Sequence, residues 1–164
     1  MKVVFNTSPI IILGKLQLLE KAFTLFPEIY IPSGVIKEFG QKLNPDENPI
    51  KSITDQRKIQ IKTVKETRFY LRLREILGKG ETEAILLGLE LDADFVILDD
   101  KAARNKAVSF GLNIKGAVGI LRKLYQEKLI SSAPDDIFVK LQEHNFRIQY
   151  KIYKKILLEF YEKK

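Results

Sequence analysis

The apolar run Phe95 to Leu98 ends in two adjacent aspartates, Asp99 and Asp100. A short, fully apolar run reads as a parallel strand covered on both faces, so the pair stands at the mouth of a buried strand. Neighbouring carboxylates there repel one another unless donors or a cation compensate them, and a divalent metal is the simplest compensation. One of the two can also cap the helix that begins at Lys101. A second polar cluster, Asn6-Thr7-Ser8, comes directly after the strand-like Lys2 to Phe5. Ligands of open parallel sheets bind outside the carboxyl ends of the strands, where both clusters fall. Three more carboxylates are candidates. Glu81 and Glu83 open a helix after Gly78-Lys79-Gly80, where acids also suit the helix dipole. Two residues apart, they point about 200° from one another and cannot face one site. Glu38 lies beside Val35 and Phe39 and can pair with Lys42 at i+4.

Composition leaves most of any chemistry to carboxylates. The absence of Cys excludes a disulfide framework, a thiolate zinc site and a cysteine nucleophile. A single His144 excludes a His-rich metal site and argues against a Ser-His-Asp triad. With 28 basic against 21 acidic residues, the net charge is +7 and the pI near 9.5. That balance favours a polyanionic partner, nucleic acid ahead of a membrane surface. Apolar residues at 45% and charged ones at 30% exclude a disordered chain. Pro9 to Leu13 is too short to span a bilayer, and without the positive region, apolar stretch and cleavage site of a signal peptide in the opening residues, no secretory signal is expected. A cytoplasmic protein without a membrane partner is expected.

These clusters need a scaffold, and strands alternating with helices supply one. Lys2 to Phe5, Glu28 to Ile31, Ile59 to Val64, Phe95 to Leu98 and Leu112 to Lys115 read as strands, the third an edge strand. Ser8 and Pro9 read as the cap and first residue of the first helix. Helices are expected from Pro32-Ser33 through Phe39, over Thr67 to Leu77, Glu81 to Leu91 and Lys101 to Phe110, and Gly111 stops the last. Further helices cover Val118 to Gln126, Asp135 to Glu143 and a basic tail, Tyr150 to Tyr161. Ile152, Ile156 and Phe160 are the tail's expected packing face, and Phe69-Leu73 and Leu121-Tyr125 are expected core pairs. The 164 residues suit one domain, which buries about 70% of its unfolded surface. The C-terminal helices, about 133–164, are expected to pack on that same domain. The pattern predicts a doubly wound α/β sandwich with a parallel sheet.

The spaced acidic set resembles the PIN-domain superfamily of metal-dependent nucleases. The resemblance rests on VVFNTSPII, YIPSGVIKEF, the stretch from GKGETEAILL through FVILDDKAARNKAVSFGLNIKGAVGIL, and FRIQYKIYKKIL. It covers nearly the whole chain, and its most specific elements are GxGExEAI and LDDxxAR. It implies a three-layer α/β/α sandwich around a short central parallel sheet, with Glu38, Glu81 and Asp99, together with Asp100, as the catalytic acids of one groove. Asn6, Glu38, Glu81 and Asp99 would hold Mg²⁺ or Mn²⁺, and Thr7 or Ser8 would stand beside the metal. The family's first acid, usually Asp, falls at Asn6, whose amide oxygen can ligate a hard cation but brings no charge. Lys101 and Arg104 match the basic residues after the acidic pair, and with Lys79 they would grip flanking phosphates. The implied activity is hydrolysis of RNA, in many relatives as the toxin of a toxin–antitoxin pair. An antitoxin protein and a homodimer are therefore expected partners beside RNA.

Two other readings compete. Asn6 would also suit a PIN-like RNA-binding or scaffolding module without catalysis. An α/β phosphatase using Asp99 as nucleophile would lack a Gly-rich phosphate loop, since no such fingerprint is present.

Overall fold

The computed structural model describes residues 1–51, 53 and 59–158. Five strands, β1 (Lys2–Phe5), β2 (Glu28–Pro32), β3 (Ile59–Lys62), β4 (Phe95–Ile97) and β5 (Ile114–Lys115), form one sheet. Its order is β3-β2-β1-β4-β5, and every pairing is parallel. Parallel neighbours need crossovers, and the helices supply them. Among the described residues the α-helices are, in chain order, α1 (Thr7–Lys15), α2 (Leu19–Thr24), α3 (Ser33–Lys42), α4 (Arg68–Arg74), α5 (Lys79–Glu90), α6 (Lys101–Ser109), α7 (Ala117–Gln126), α8 (Pro134–Glu143) and α9 (Tyr150–Leu158), of which the last three follow β5.

Alternation along the strands divides the core in two. Val3, Phe5, Ile29, Ile31 and Ile97 face one layer, where they meet Ile10 and Leu13, Val35 and Phe39, and Leu121 and Leu124. Val4, Tyr30, Val96 and Leu98 face the other, against Tyr70, Leu73, Ala84, Ile85 and Ala103. The expected three-layer α/β/α sandwich is the observed architecture. β1 pairs with β2 on one side and β4 on the other. Its carboxyl end is therefore the point where the winding reverses, the usual place for a ligand crevice.

Several local expectations are corrected. Helix α1 starts at Thr7 with Asn6 in the capping position, so Ser8 and Pro9 lie inside its first turn. Helix α5 begins at Lys79, placing Gly80 in helix rather than in a separating loop. Phe69 is 41% exposed and meets Phe110 edge-on at 5.3 Å, because α4 packs through Tyr70 and Leu73 instead. On α9 the buried pair is Tyr153 and Leu157, while Ile152 is exposed and Ile156 partly buried. Phe160 and the end of the basic tail, residues 159–164, lie outside the described residues. Among those described, no helix is long and apolar enough to cross a membrane.

Candidate metal and nuclease site

Asn6 closes β1 and enters α1 at the reversal point, and its amide donates to Ile97 O at 3.1 Å. An N-cap side chain ordinarily accepts from the second or third helical amide. Pro9 occupies the third position and has no N–H to give, and Asn6 makes no side-chain cap bond. Its carboxamide turns to the crevice instead, where Nδ2 donates to Glu81 Oε1 at 3.4 Å. Asn6 Oδ1 is shut off from solvent with no hydrogen-bond partner.

Glu38, on α3, is held at both oxygens. The buried Thr7 hydroxyl donates to Oε2 at 2.5 Å and the Gly80 amide donates to Oε1 at 2.8 Å. Lys42, one turn on, stands 3.6 Å from Oε2, and its exposure keeps that pair weak. Gly80 makes the close approach possible. A Cβ there would stand 2.7 Å from Asn6 Oδ1 and 2.8 Å from Glu38 Oε1, so the two oxygens border one small hollow beside the bare α-carbon.

Asp99 lies just past β4, across the reversal point from Asn6. Its Oδ1 accepts from Ala117 N–H at 2.8 Å, the first amide of α7, where a carboxylate complements the helix dipole. Its Oδ2 is shielded and unpartnered. Burial pushes the Asp99 carboxyl up to about 6, although the Ala117 amide and the Arg104 charge pull it down. Asp100 plays the structural part foreseen for one of the pair: its Oδ1 accepts from Ala103 N–H at 2.8 Å and caps α6.

The structure thus joins Asn6, Thr7, Glu38 and Glu81 through contacts of their side chains, with Asp99 at the neighbouring strand end. Ser8 and Asp100 are exposed, as are Lys101 and Arg104, and Lys79 is half-buried. Arg104 lies close to Asp99: a Cβ on Gly116 would meet Arg104 Nη1 at 2.7 Å and Asp99 Oδ1 at 2.8 Å. Among the described residues, no three His, Cys, Asp or Glu side chains converge closely enough to enclose an ion by themselves. The orphaned oxygens Asn6 Oδ1 and Asp99 Oδ2 nevertheless fit a hard cation. Mg²⁺ takes oxygen ligands, keeps several waters and needs only one or two carboxylates.

Sequence reasoning placed Glu83 in the first turn of a helix and missed its partner. It is buried, accepts from Gly34 N–H at 2.7 Å and from the Tyr70 hydroxyl at 3.4 Å, and so ties α5 to the start of α3. The signal was its spacing, since Gly80, Ala84 and Leu87 share its buried stripe. A carboxylate in such a stripe must have donors.

A family model described as PIN domain matches residues 2–162. Among solved structures, the chain is similar to a PilT N-terminus domain protein from the hyperthermophilic archaeon Sulfolobus solfataricus. The two are 22% identical with a TM-score of 0.53, over 75% of this chain and 92% of that one, a likeness of fold. No curated protein matches the chain.

Proposed function

Because the chain belongs to the PIN-domain family, we propose that it is a divalent-metal-dependent endoribonuclease whose hollow is bordered by Asn6, Glu38, Glu81 and Asp99. The observation that carries this reading is the pair of orphaned buried oxygens, Asn6 Oδ1 and Asp99 Oδ2, at the carboxyl ends of adjacent strands. Unpaired acceptors in a shielded place are unfavourable, and a cation with its waters satisfies both.

Mg²⁺ or Mn²⁺, when bound, supplies an acidified water and offsets charge on the scissile phosphate. The protein's part is placement. Thr7 and Gly80 fix the Glu38 carboxylate from two sides, and Asn6 steadies Glu81. Ala117 anchors one Asp99 oxygen and leaves the other without a hydrogen-bond partner. Asp99 must be ionised to serve a cation, and the Arg104 charge favours that form. In this reading Arg104, Lys101 and Lys79 meet phosphates on either side of the cleaved bond, Arg104 as a fork and the lysines as point charges. Asp100 serves this site by setting the start of α6, which carries Lys101 and Arg104.

The test is cleavage of a labelled single-stranded RNA with Mn²⁺, comparing the parent with Asp99→Asn and with an EDTA control. Cleavage confined to the metal-loaded parent supports the proposal, and equal cleavage by the variant refutes it. The neutral Asn6, together with the lack of a ready triad of acids among the described residues, favours a second reading, an RNA-binding module without catalysis. Intact RNA affinity with no metal binding distinguishes it. A cytoplasmic toxin role, with an antitoxin and a homodimer as partners, belongs to the same proposal. Co-purification with the product of an adjacent short gene would test that role.

A further inference from the structure

A groove of about 1170 Å³ lies at the β5 edge of the sheet, lined by that strand, α7, the end of α2, residues 146–148 and Ile156 of α9, and its lining includes Asp99 and Arg104. It is wider than the usual 300–1,000 Å³ of a small-molecule pocket. Among the described residues, five basic side chains line it, Arg104, Lys115, Arg122, Lys123 and Arg147, against two acidic ones, Asp99 and Glu127. Glu127 is already matched by Lys123 at 3.0 Å. None of Lys115, Arg122, Lys123 and Arg147 belongs to the phosphate-gripping set named from sequence.

We infer that this groove seats the sugar–phosphate chain of single-stranded RNA and leads it to Asp99. Charge complementarity selects a polyanion, since cations outnumber acids among the described lining residues and so suit successive phosphates. Continuity selects the strand that is cut, because the same groove contains Asp99 and Arg104. The cations are crowded: burial, and then the charges of Lys123 and Arg122, lower the pKa of the Lys115 amine. An anion between them relieves that repulsion. The apolar side of the groove includes Phe146, half-buried and lying near Arg147 in sequence. The Phe95 ring is already covered by the Lys115 ammonium at 4.2 Å, which holds that charge at the groove.

The inference rests on the ribonuclease reading and adds the path of the substrate. Its test is fluorescence anisotropy of a labelled RNA decamer in EDTA, where cleavage plays no part. Arg147→Glu, an exposed change, should weaken binding about threefold, and Lys115→Gln with Arg147→Glu about tenfold. Each lost phosphate contact should flatten the log-affinity against log-salt slope by about 0.7. Arg72→Glu with Lys140→Glu, on other surfaces, should leave affinity within about twofold. Parent affinity in Arg147→Glu, or an equal loss in the remote pair, overturns the groove. Equal affinity for duplex DNA or phosphatidylserine vesicles, with the same variant losses, overturns the single-strand assignment. Unchanged groove binding in a protein that never cleaves RNA with Mn²⁺ sinks the nuclease reading alone. Full cleavage with unchanged binding in the double variant sinks the groove alone.

Discussion

The Gly80 amide donates to Glu38 Oε1 at 2.8 Å, so the backbone of α5 holds the carboxylate of α3. The two residues are distant along the chain, yet this bond sets where Glu38 stands relative to Glu81, the next residue on α5. A main-chain donor cannot rotate away as a side chain can. The hollow is therefore as rigid as the contact between the two helices.

Gly80→Ala should separate stability from function. Alanine is favoured over glycine inside a helix by about 1 kcal/mol, but this Cβ would enter the hollow against Asn6 Oδ1 and the Glu38 carboxylate. We expect RNA cleavage with Mn²⁺ to fall at least about tenfold, the scale of disturbed support around a metal, in a protein that remains folded by circular dichroism. Parent-like cleavage would show that the hollow is not where the chemistry occurs.

Glu83 should matter without touching that hollow. Glu83→Ala leaves the Gly34 amide without its side-chain acceptor, and an unsatisfied buried group costs about 1–3 kcal/mol. Urea unfolding should show a loss in that range. Because the bond also ties α3 to α5, Mn²⁺ affinity should weaken in the same variant. A stability loss without any metal effect would confine Glu83 to packing.

Asp99 should make stability depend on pH in an unusual direction for an aspartate. Its folded pKa of about 6 lies above the ordinary aspartate value of 3.8, so the folded state binds the proton more tightly than the unfolded chain. Stability is then lost as pH rises from about 4 through about 6, and the penalty is fully present above that window. Asp99→Asn removes it. In EDTA the variant should melt above the parent at pH 8, with the gap closing toward pH 4. A constant gap across that range would contradict a raised Asp99 pKa.

Much of this was legible in the residues for a plain reason. The apolar runs that end at Phe5 and Leu98 are buried strands, and a parallel sheet brings the residues next in the chain, Asn6 and Asp99, to one edge. Asp100 as a cap and Glu38 beside Lys42 could be read from spacing along one helix. Contacts between elements were not legible. The bond from Gly80 to Glu38 depends on how closely two helices pack, and the expectation of a loop at Gly78-Lys79-Gly80 concealed it. Phe69 was misjudged because helical spacing to Leu73 identifies a shared face without saying which neighbour covers it. The lysine and arginine groove of β5 and α7 draws on residues scattered from Arg104 to Arg147, with no local pattern to mark it.

Calorimetric titration of Mn²⁺ into the parent, Asn6→Asp and Asp99→Asn addresses the shared hollow most directly. We expect Asn6→Asp to bind about tenfold more tightly, since a carboxylate adds charge to an oxygen already in place, and Asp99→Asn to bind at least about tenfold more weakly. Three proteins of equal affinity, or weaker binding by Asn6→Asp, would contradict a cation held between Asn6 and Asp99.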